Sequence, residues 1–254
     1  MIVGVIPAHL ASLRFPRKIL HPFAGLPMIE HVRRRALMAD SLHGVYVATC
    51  DDEIADAVAD GGGQVVRTGN HHKNGTSRVA EAIAEIDASH ILLLQGDEPL
   101  LLPRHVEALA KAMIANPDAD AWNATGDIRE ESELDRHSFV KCAVGAHDRI
   151  LYCFRRSPSA APFDVQVSYI RKILGLFGFS RESLLAIANA PPTVVETHEF
   201  IEQMRIIETG RRLISVPVDI ALPSVNEPHE ARIVEEAIKD NVEQQALLNK
   251  VLQG

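Results

Sequence analysis

Four short stretches of this 254-residue chain carry side chains suited to binding charged, oxygen-rich molecules. The first is the polar loop after Ile2-Val3-Gly4-Val5-Ile6, which holds Ser12, Arg14, Arg17 and Lys18 with the small residues Ala8 and Ala11. Such cations suit the oxygens of a phosphorylated molecule, and small residues let backbone amides approach it. The second is Gln95-Gly96-Asp97-Glu98-Pro99, which directly follows the most apolar run, His90 to Leu94. A carboxylate there suits Mg2+ shared with nucleotide phosphates, because hard cations prefer oxygen ligands. The third is Asn74-Gly75-Thr76-Ser77-Arg78, a helix start whose backbone donors can face an anion or a base edge. The fourth is Arg155-Arg156 after Ile150 to Phe154, where a guanidinium can grip a carboxylate bidentately.

Each stretch also has a plain structural reading. These are a basic surface loop, an N-cap by Asn74 or Thr76, a turn capped by Asp97, and solvated arginines. His71 and His72 have no third ligand at a suitable spacing, which argues against zinc there. Neither G-x-x-x-x-G-K-[ST] nor G-x-G-x-x-G occurs, and no Ser/His/Asp or Cys/His arrangement offers a covalent nucleophile. Cys50, Cys142 and Cys153 are odd in number and lack C-x-x-C spacing, so they read as reduced structural thiols of a cytoplasmic protein.

The elements that position these residues follow from periodicity. Ile2 to Ile6 is a buried strand closed by Pro7, and Pro27 to Ala39 is a helix with Met28, Ile29, Val32 and Ala36 on one face. Val45 to Thr49 is a strand, Asp51-Asp52 cap a helix reaching about Ala59, and Gln64 to Val66 is a strand. This β-loop-α-β-α-β order predicts a parallel sheet with right-handed crossovers. A helix through Val79, Ala82, Ile83 and Ile86 follows, then a strand at His90–Leu94 and a helix at Pro103–Ala115. Ala119 to Ala124, Phe139 to Val144, Ile150 to Phe154, Gly175 to Phe179 and Leu213 to Val218 read as further strands. Ser180 opens a helix that Pro191-Pro192 breaks, and Glu196 to Thr209 reads as one helix with Glu199, Glu202 and Arg205 on neighbouring turns. Asn226 is a helix cap or a ligand, and a long helix runs from Pro228 to Leu252 with Ile233, Ala237 and Ile238 inward.

A formal net charge of −8 argues against broad nucleic-acid binding, though not against a local basic pocket. No apolar run approaches the length of a bilayer span. The N-terminus enters a strand without a signal-like segment, which predicts a cytoplasmic protein with no membrane partner.

Several of these motifs resemble those of the 3-deoxy-manno-octulosonate (Kdo) cytidylyltransferase family. IPAHLASLRFPRK resembles the family's I-P-A-R-x-x-S-x-R-x-P-x-K, with Ser12, Arg14, Pro16 and Lys18 in place and His9 where the family has Arg. Gln95-Gly96-Asp97-Glu98-Pro99 is unaltered, and His72, Gly75, Thr76 and Arg78 match H-x-S-G-T-[DE]-R. In that segment Asn74 replaces Ser and Ser77 replaces the acid. Tyr152 and Arg155 match Y-F-S-R-x-x-I-P, and Glu202, Gln203 and Arg205 match L-E-x-x-E-x-L-E-Q-L-R. Ile173 stands where the family carries His, and Asn226 where it carries a metal-binding Asp.

The resemblance implies a nucleotide-diphospho-sugar transferase-like α/β fold, Rossmann-like, with a mixed, mainly parallel sheet flanked by helices. It implies a single cytidylyltransferase domain with a nucleotide-binding part at about 1–125, an acceptor-binding and dimerisation part at about 126–225, and a C-terminal helix. The implied reaction is CMP transfer from CTP to a sugar-acid hydroxyl with release of pyrophosphate. Arg14 and Lys18 would act at the triphosphate, with Asp97 and Asn226 at Mg2+. Ala8, Ser12, His72, Asn74, Thr76, Arg78 and Gln95 would surround the nucleotide, while Arg155, Glu202 and Gln203 would hold the acceptor. The family further implies a homodimer and a place in lipopolysaccharide or capsular polysaccharide biosynthesis. The departures at His9, Ile173 and Asn226 leave two alternatives: another acceptor (8-amino-Kdo, a different sugar acid, a small hydroxy acid or a phosphonate), or an inactive nucleotide-binding homologue.

Overall fold

A computed structural model describes residues 1–253. In chain order its elements begin β1 (Ile2–Ala8), β2 (Pro22–Phe23), β3 (Leu26–Pro27), α1 (Met28–Ala36), β4 (Val45–Thr49) and α2 (Asp52–Asp60). They continue with β5 (Gln64–Arg67), α3 (Gly75–Ala82), β6 (His90–Leu94), α4 (Pro103–Ala115), β7 (Ala121–Asp127), α5 (Ser132–Asp135), β8 (Lys141–Val144) and β9 (Ile150–Phe154). The last are α6 (Phe163–Gln166), β10 (Ile170–Ser180), α7 (Arg181–Asn189), α8 (Val194–Glu199), α9 (Gln203–Glu208), β11 (Leu213–Pro217), α10 (Pro228–Asp240) and α11 (Val242–Gln253). The architecture is mixed α/β with a mainly parallel sheet flanked by helices, as the sequence predicts. Among the described residues no helix is long and apolar enough to cross a membrane.

The chain divides into two compact units: Met1–Glu107 joined by the chain from Leu222 onward, and Ala108–Ala221. In the first unit four parallel strands lie in the order β6-β1-β4-β5. β1 and β6 run in register from Ile2 opposite His90 to Val5 opposite Leu93, so their carboxyl ends emerge together. Pro7 does not close β1, which continues to Ala8. It lies beyond the last β1–β6 pair, where a missing N–H breaks no bond to that neighbour. Met28, Ile29, Val32 and Ala36 form the fully buried face of α1. Pro27 is the residue before α1 and closes the β2–β3 hairpin, a feature the sequence reading lacks.

The predicted C-terminal helix is broken at Asn241, whose φ of −105° and ψ of 117° are extended. Asn241 Oδ1 accepts from the Gln244 amide at 3.1 Å and so caps a new helix. The break turns Gln244 inward, where it accepts from Arg35 Nη1 at 2.7 Å and donates to the Leu100 carbonyl at 3.0 Å. The inward residues of α10 are Ala231, Val234 and Ile238, whereas Ile233 is exposed.

In the second unit β7 pairs in parallel with β11 and antiparallel with β10, β10 continues antiparallel to β8, and β8 to β9. All three cysteines are free, and Cys142 faces Cys153 across the β8–β9 pair. Burial pushes the Cys142 thiol up to about 12 and also raises the Cys153 thiol, so neither is an activated thiolate.

The single helix expected over Glu196–Thr209 is two helices, α8 and α9, because Phe200 adopts left-handed φ 54°, ψ 46°. In a continuous helix Glu196 and Arg205 would stand about 13 Å apart along the axis and could not meet. The turn at Phe200 lets the Arg205 fork close on the Glu196 carboxylate at 2.7 and 2.5 Å, with both side chains buried. Arg205 therefore forks onto Glu196, nine residues earlier and outside the i,i+3 spacing, while Glu202 adds a nearby negative charge. Removing one member of a buried pair leaves the other charge uncompensated. Arg205→Ala is expected to lower the unfolding free energy by about 3–5 kcal/mol in urea titrations. Arg205→Lys recovers only part of this because the fork is lost; a loss under about 1 kcal/mol in Arg205→Ala would show the pair is dispensable.

Candidate functional site

The loops after β1 and β6 leave the same edge of the first unit's sheet, and two side chains meet across them. Lys18 Nζ lies 2.6 Å from Asp97 Oδ2, with side chains 13% and 20% exposed. Lys18 also donates to the Val225 carbonyl at 2.9 Å, and the Val225 amide donates to the Asp97 carbonyl at 2.9 Å. Three segments far apart in sequence are thereby tied at one point: 9–20, 95–99 and 222–227. Gly96 leaves room at this point, since a Cβ there would stand 3.0 Å from Ile19 Cδ1 and the Ile19 side chain would have to give way.

The loop after β1 is built largely by its own backbone. The Ser12 and Arg17 amides both donate to the Leu10 carbonyl, and Ser12 Oγ accepts from the Phe15 amide at 3.4 Å. Ala8 is the buried last residue of β1, opposite Thr49. Arg17 sits at left-handed φ 62° and forks onto Glu53, while Arg14 is exposed and donates to Asn226 Oδ1 at 3.2 Å. Asp51, which sequence reads as a helix cap, stands at the cap position of α2, yet its side chain accepts no capping bond from that helix. Its carboxylate takes the Leu10 amide at 2.9 Å and so anchors the loop. That role depends on β4 lying beside β1, which no local pattern announces. His9 leaves β1 beside these groups; partial burial, then the Arg78 guanidinium, lowers its pKa and keeps it neutral at pH 7.

The helix start that follows β5 is capped by Asn74, whose Oδ1 accepts from the Ser77 amide at 2.9 Å. Gly75 permits its approach to β1, because a Cβ would meet Pro7 Cγ at 3.1 Å. Thr76 occupies the first turn of α3, half-buried. Arg78 is buried and donates to Thr68 Oγ1 at 2.7 Å and the Gly69 carbonyl at 3.2 Å. Gln95 is half-buried immediately after β6. His72 Nδ1 contacts Ser77 Oγ and its Nε2 contacts Glu81. The absent third ligand of the sequence reading is thus present: Glu81, two turns into α3, groups with His71 and His72.

Asn226 is not the cap of α10. Glu227 is, in a reciprocal capping box with Glu230. The Asn226 side chain instead accepts from Arg14 and donates to Ser224 Oγ at 3.1 Å. It presents an amide oxygen next to the backbone that binds Asp97.

Arg155, Glu202 and Gln203 belong to the second unit. Arg155 donates to the carbonyls of Glu199, His137 and Phe200 at 3.0, 3.0 and 3.1 Å, and so braces the α8–α9 joint. Five N–H groups on a guanidinium leave one free on each terminal nitrogen for a further acceptor. Glu202 immediately precedes α9, and the buried Gln203 donates to Asn123 Oδ1 at 3.1 Å. Asn123 in turn donates to the carbonyls of Leu174 and Leu176, inside the β10 irregularity that follows Ile173. Sequence reasoning passes over Asn123, whose role exists only because β7 lies beside β10.

The chain is similar to known proteins over almost its full length. A family model for cytidylyltransferases matches residues 3–214. The 3-deoxy-manno-octulosonate cytidylyltransferase of Chlorobium limicola is 35% identical over 242 residues, covering 93% of this chain and 97% of the relative. The 8-amino-3,8-dideoxy-manno-octulosonate cytidylyltransferase of Shewanella amazonensis is 34% identical over 241 residues, covering 92% and 97%. The solved structure of a CMP:2-keto-3-deoxy-manno-octonic acid synthetase complexed with CTP superposes with a TM-score of 0.88 at 32% identity, covering 94% of this chain and 98% of that one. With matches of this extent, the chain belongs to the cytidylyltransferase family.

Proposed function

We propose that this protein transfers CMP from CTP to the hydroxyl of Kdo or a close analogue and releases pyrophosphate. The observation that carries the reading is the Lys18–Asp97 pair at the carboxyl edge of a parallel sheet, where open α/β sheets bind ligands. Near-full-length similarity to relatives named for Kdo and 8-amino-Kdo supports the acceptor class. A cytoplasmic setting and a homodimer are part of the same proposal.

In the reaction the acceptor oxygen forms a bond to the α-phosphorus, the bond from that phosphorus to the bridging oxygen breaks, and pyrophosphate leaves. The hydroxyl proton passes to solvent or a nearby base. Charge builds on the phosphoryl and leaving-group oxygens, so positioning and neutralisation supply most of the catalysis. Lys18 and Asp97 each stand in for the other's ligand. With a nucleotide present, Lys18 would turn to a phosphate oxygen, and Asp97 would be the carboxylate left to hold a cation, so neither charge would be left bare. Arg14 joins Lys18 at the triphosphate. Ala8, Ser12, His72, Asn74, Thr76, Arg78 and Gln95 frame the nucleotide. Arg155, Glu202 and Gln203 serve the acceptor, with Arg155 offering its two remaining N–H groups to a carboxylate.

The donor set fits Mg2+: a carboxylate from Asp97 and an amide oxygen from Asn226, both hard, leave further positions to water and phosphate. Bound there, Mg2+ neutralises phosphate charge. Asn226 offers no charge of its own, which weakens the hold on the ion.

Two results are expected. Pyrophosphate release from CTP and Mg2+ is measured with Kdo, 8-amino-Kdo and simpler hydroxy acids offered separately; turnover with one of the two octulosonates is expected. CTP binding without turnover on any acceptor would favour an inactive homologue, and absence of CTP binding would sink the nucleotide reading. Asn226→Asp should lower the Mg2+ concentration for half-maximal rate by about tenfold, the scale on which ligand charge tunes divalent affinity. An unchanged Mg2+ requirement would remove Asn226 from the ion's surroundings.

A further inference from the structure

The segment between β5 and α3 brings together three ligating groups that the proposed transfer reaction does not need as a set. His71, His72 and Glu81 each offer one ligand atom within 4.8 Å of the others. A single oxygen, Glu81 Oε2, faces both rings: His72 Nε2 is in direct contact, and His71 Nε2 lies 3.9 Å away. The two imidazoles lie 4.2 Å apart and are tilted by 37°.

Hydrogen bonding fixes the roles of the ring nitrogens. Ser77 Oγ donates its only proton to the Asn74 carbonyl at 3.1 Å, so it can only accept from His72 Nδ1, also 3.1 Å away. Nδ1 therefore carries the hydrogen. His72 Nε2 then faces the Glu81 carboxylate, where the two atoms can share a proton or serve as ligands to one metal ion. A proton joins two atoms; a metal ion joins three, and the third donor, His71, stands at the same oxygen. The surrounding bonds are those of supported metal ligands, which orient the first donors through their other atoms. Ser77 holds His72 from behind, and the Gly69 amide holds Glu81 Oε1 at 2.9 Å. His72 is fixed, with its side chain 7% exposed, whereas His71 is 72% exposed and free to swing the small distance to a bond of about 2.0–2.1 Å.

We propose that His71, His72 and Glu81 form a binding site for a divalent transition-metal ion, Zn2+ in preference to Mg2+. Two imidazoles and one carboxylate are a zinc donor set that leaves one position for water, and Mg2+ disfavours nitrogen ligands. The site shares His72 with the nucleotide surroundings but does not rest on that reading.

The test uses the full chain without nucleotide, in millimolar Mg2+ to fill oxygen-only sites. Zn2+ binding is followed by calorimetry and Co2+ binding by its visible absorption. One equivalent should bind, with the intense Co2+ bands of four or five coordination. His71→Ala and Glu81→Gln should each weaken binding at least about tenfold, and Ser77→Ala about 10–100-fold, the range for outer partners of metal ligands. Thermal melts in the absence of metal separate loss of ligands from loss of folding. No bound equivalent in the wild-type chain, or an affinity unchanged in both folded His71→Ala and Glu81→Gln, would overturn the proposal.

Discussion

The Lys18–Asp97 ion pair is the contact on which the rest of the site depends. It lies at the edge of the sheet, dry enough for the attraction to exceed that of a fully exposed pair and open enough for its partners to separate. Its geometry follows from register: β1 and β6 are direct parallel neighbours, so the residues just beyond them must share an edge. Val225 completes the arrangement from the other end of the chain by bonding both partners. A pair of this kind is consistent with a binding site in which a polyanion and its cation replace one internal ion pair with two new ones.

Around that point the structure separates rigid from adjustable parts. Asp51, Asn74, Gly75 and Gly96 set backbone, and the buried Arg78 is fixed to Thr68 and Gly69. Arg14 is exposed with a single long bond to Asn226. In the second unit Arg155 braces the joint at Phe200 while Gln203 and Asn123 support the irregular stretch of β10. There the residues expected at an acceptor also hold the local backbone. Substituting them would alter shape along with chemistry.

Much of this was legible in the sequence where the determinants are local. His90–Leu94, Ile150–Phe154 and Pro103–Ala115 have the expected bounds because an uninterrupted apolar run or an amphipathic period specifies each. The family is likewise legible, since its motifs are short and contiguous. What periodicity missed is set by distant contacts. The break at Phe200 exists so that Arg205 reaches Glu196, and the break at Asn241 so that Gln244 reaches Arg35. Both segments keep a helical pattern that tertiary pairing overrides. Asp51 reads as a cap and serves a neighbouring loop; Glu81 reads as a surface acid and meets two histidines. Each depends on which strand or turn lies next door.

The most direct test of the central claim is the binding of CTP, with and without Mg2+, to the wild-type chain and to Asp97→Asn by calorimetry. If Asp97 exchanges Lys18 for the ion that accompanies the nucleotide, Mg2+ should strengthen CTP binding to the wild type. That enhancement should disappear in Asp97→Asn, while metal-free CTP binding is kept or improved because Lys18 is no longer paired. An Mg2+ enhancement of equal size in both proteins would contradict the account and place the ion elsewhere.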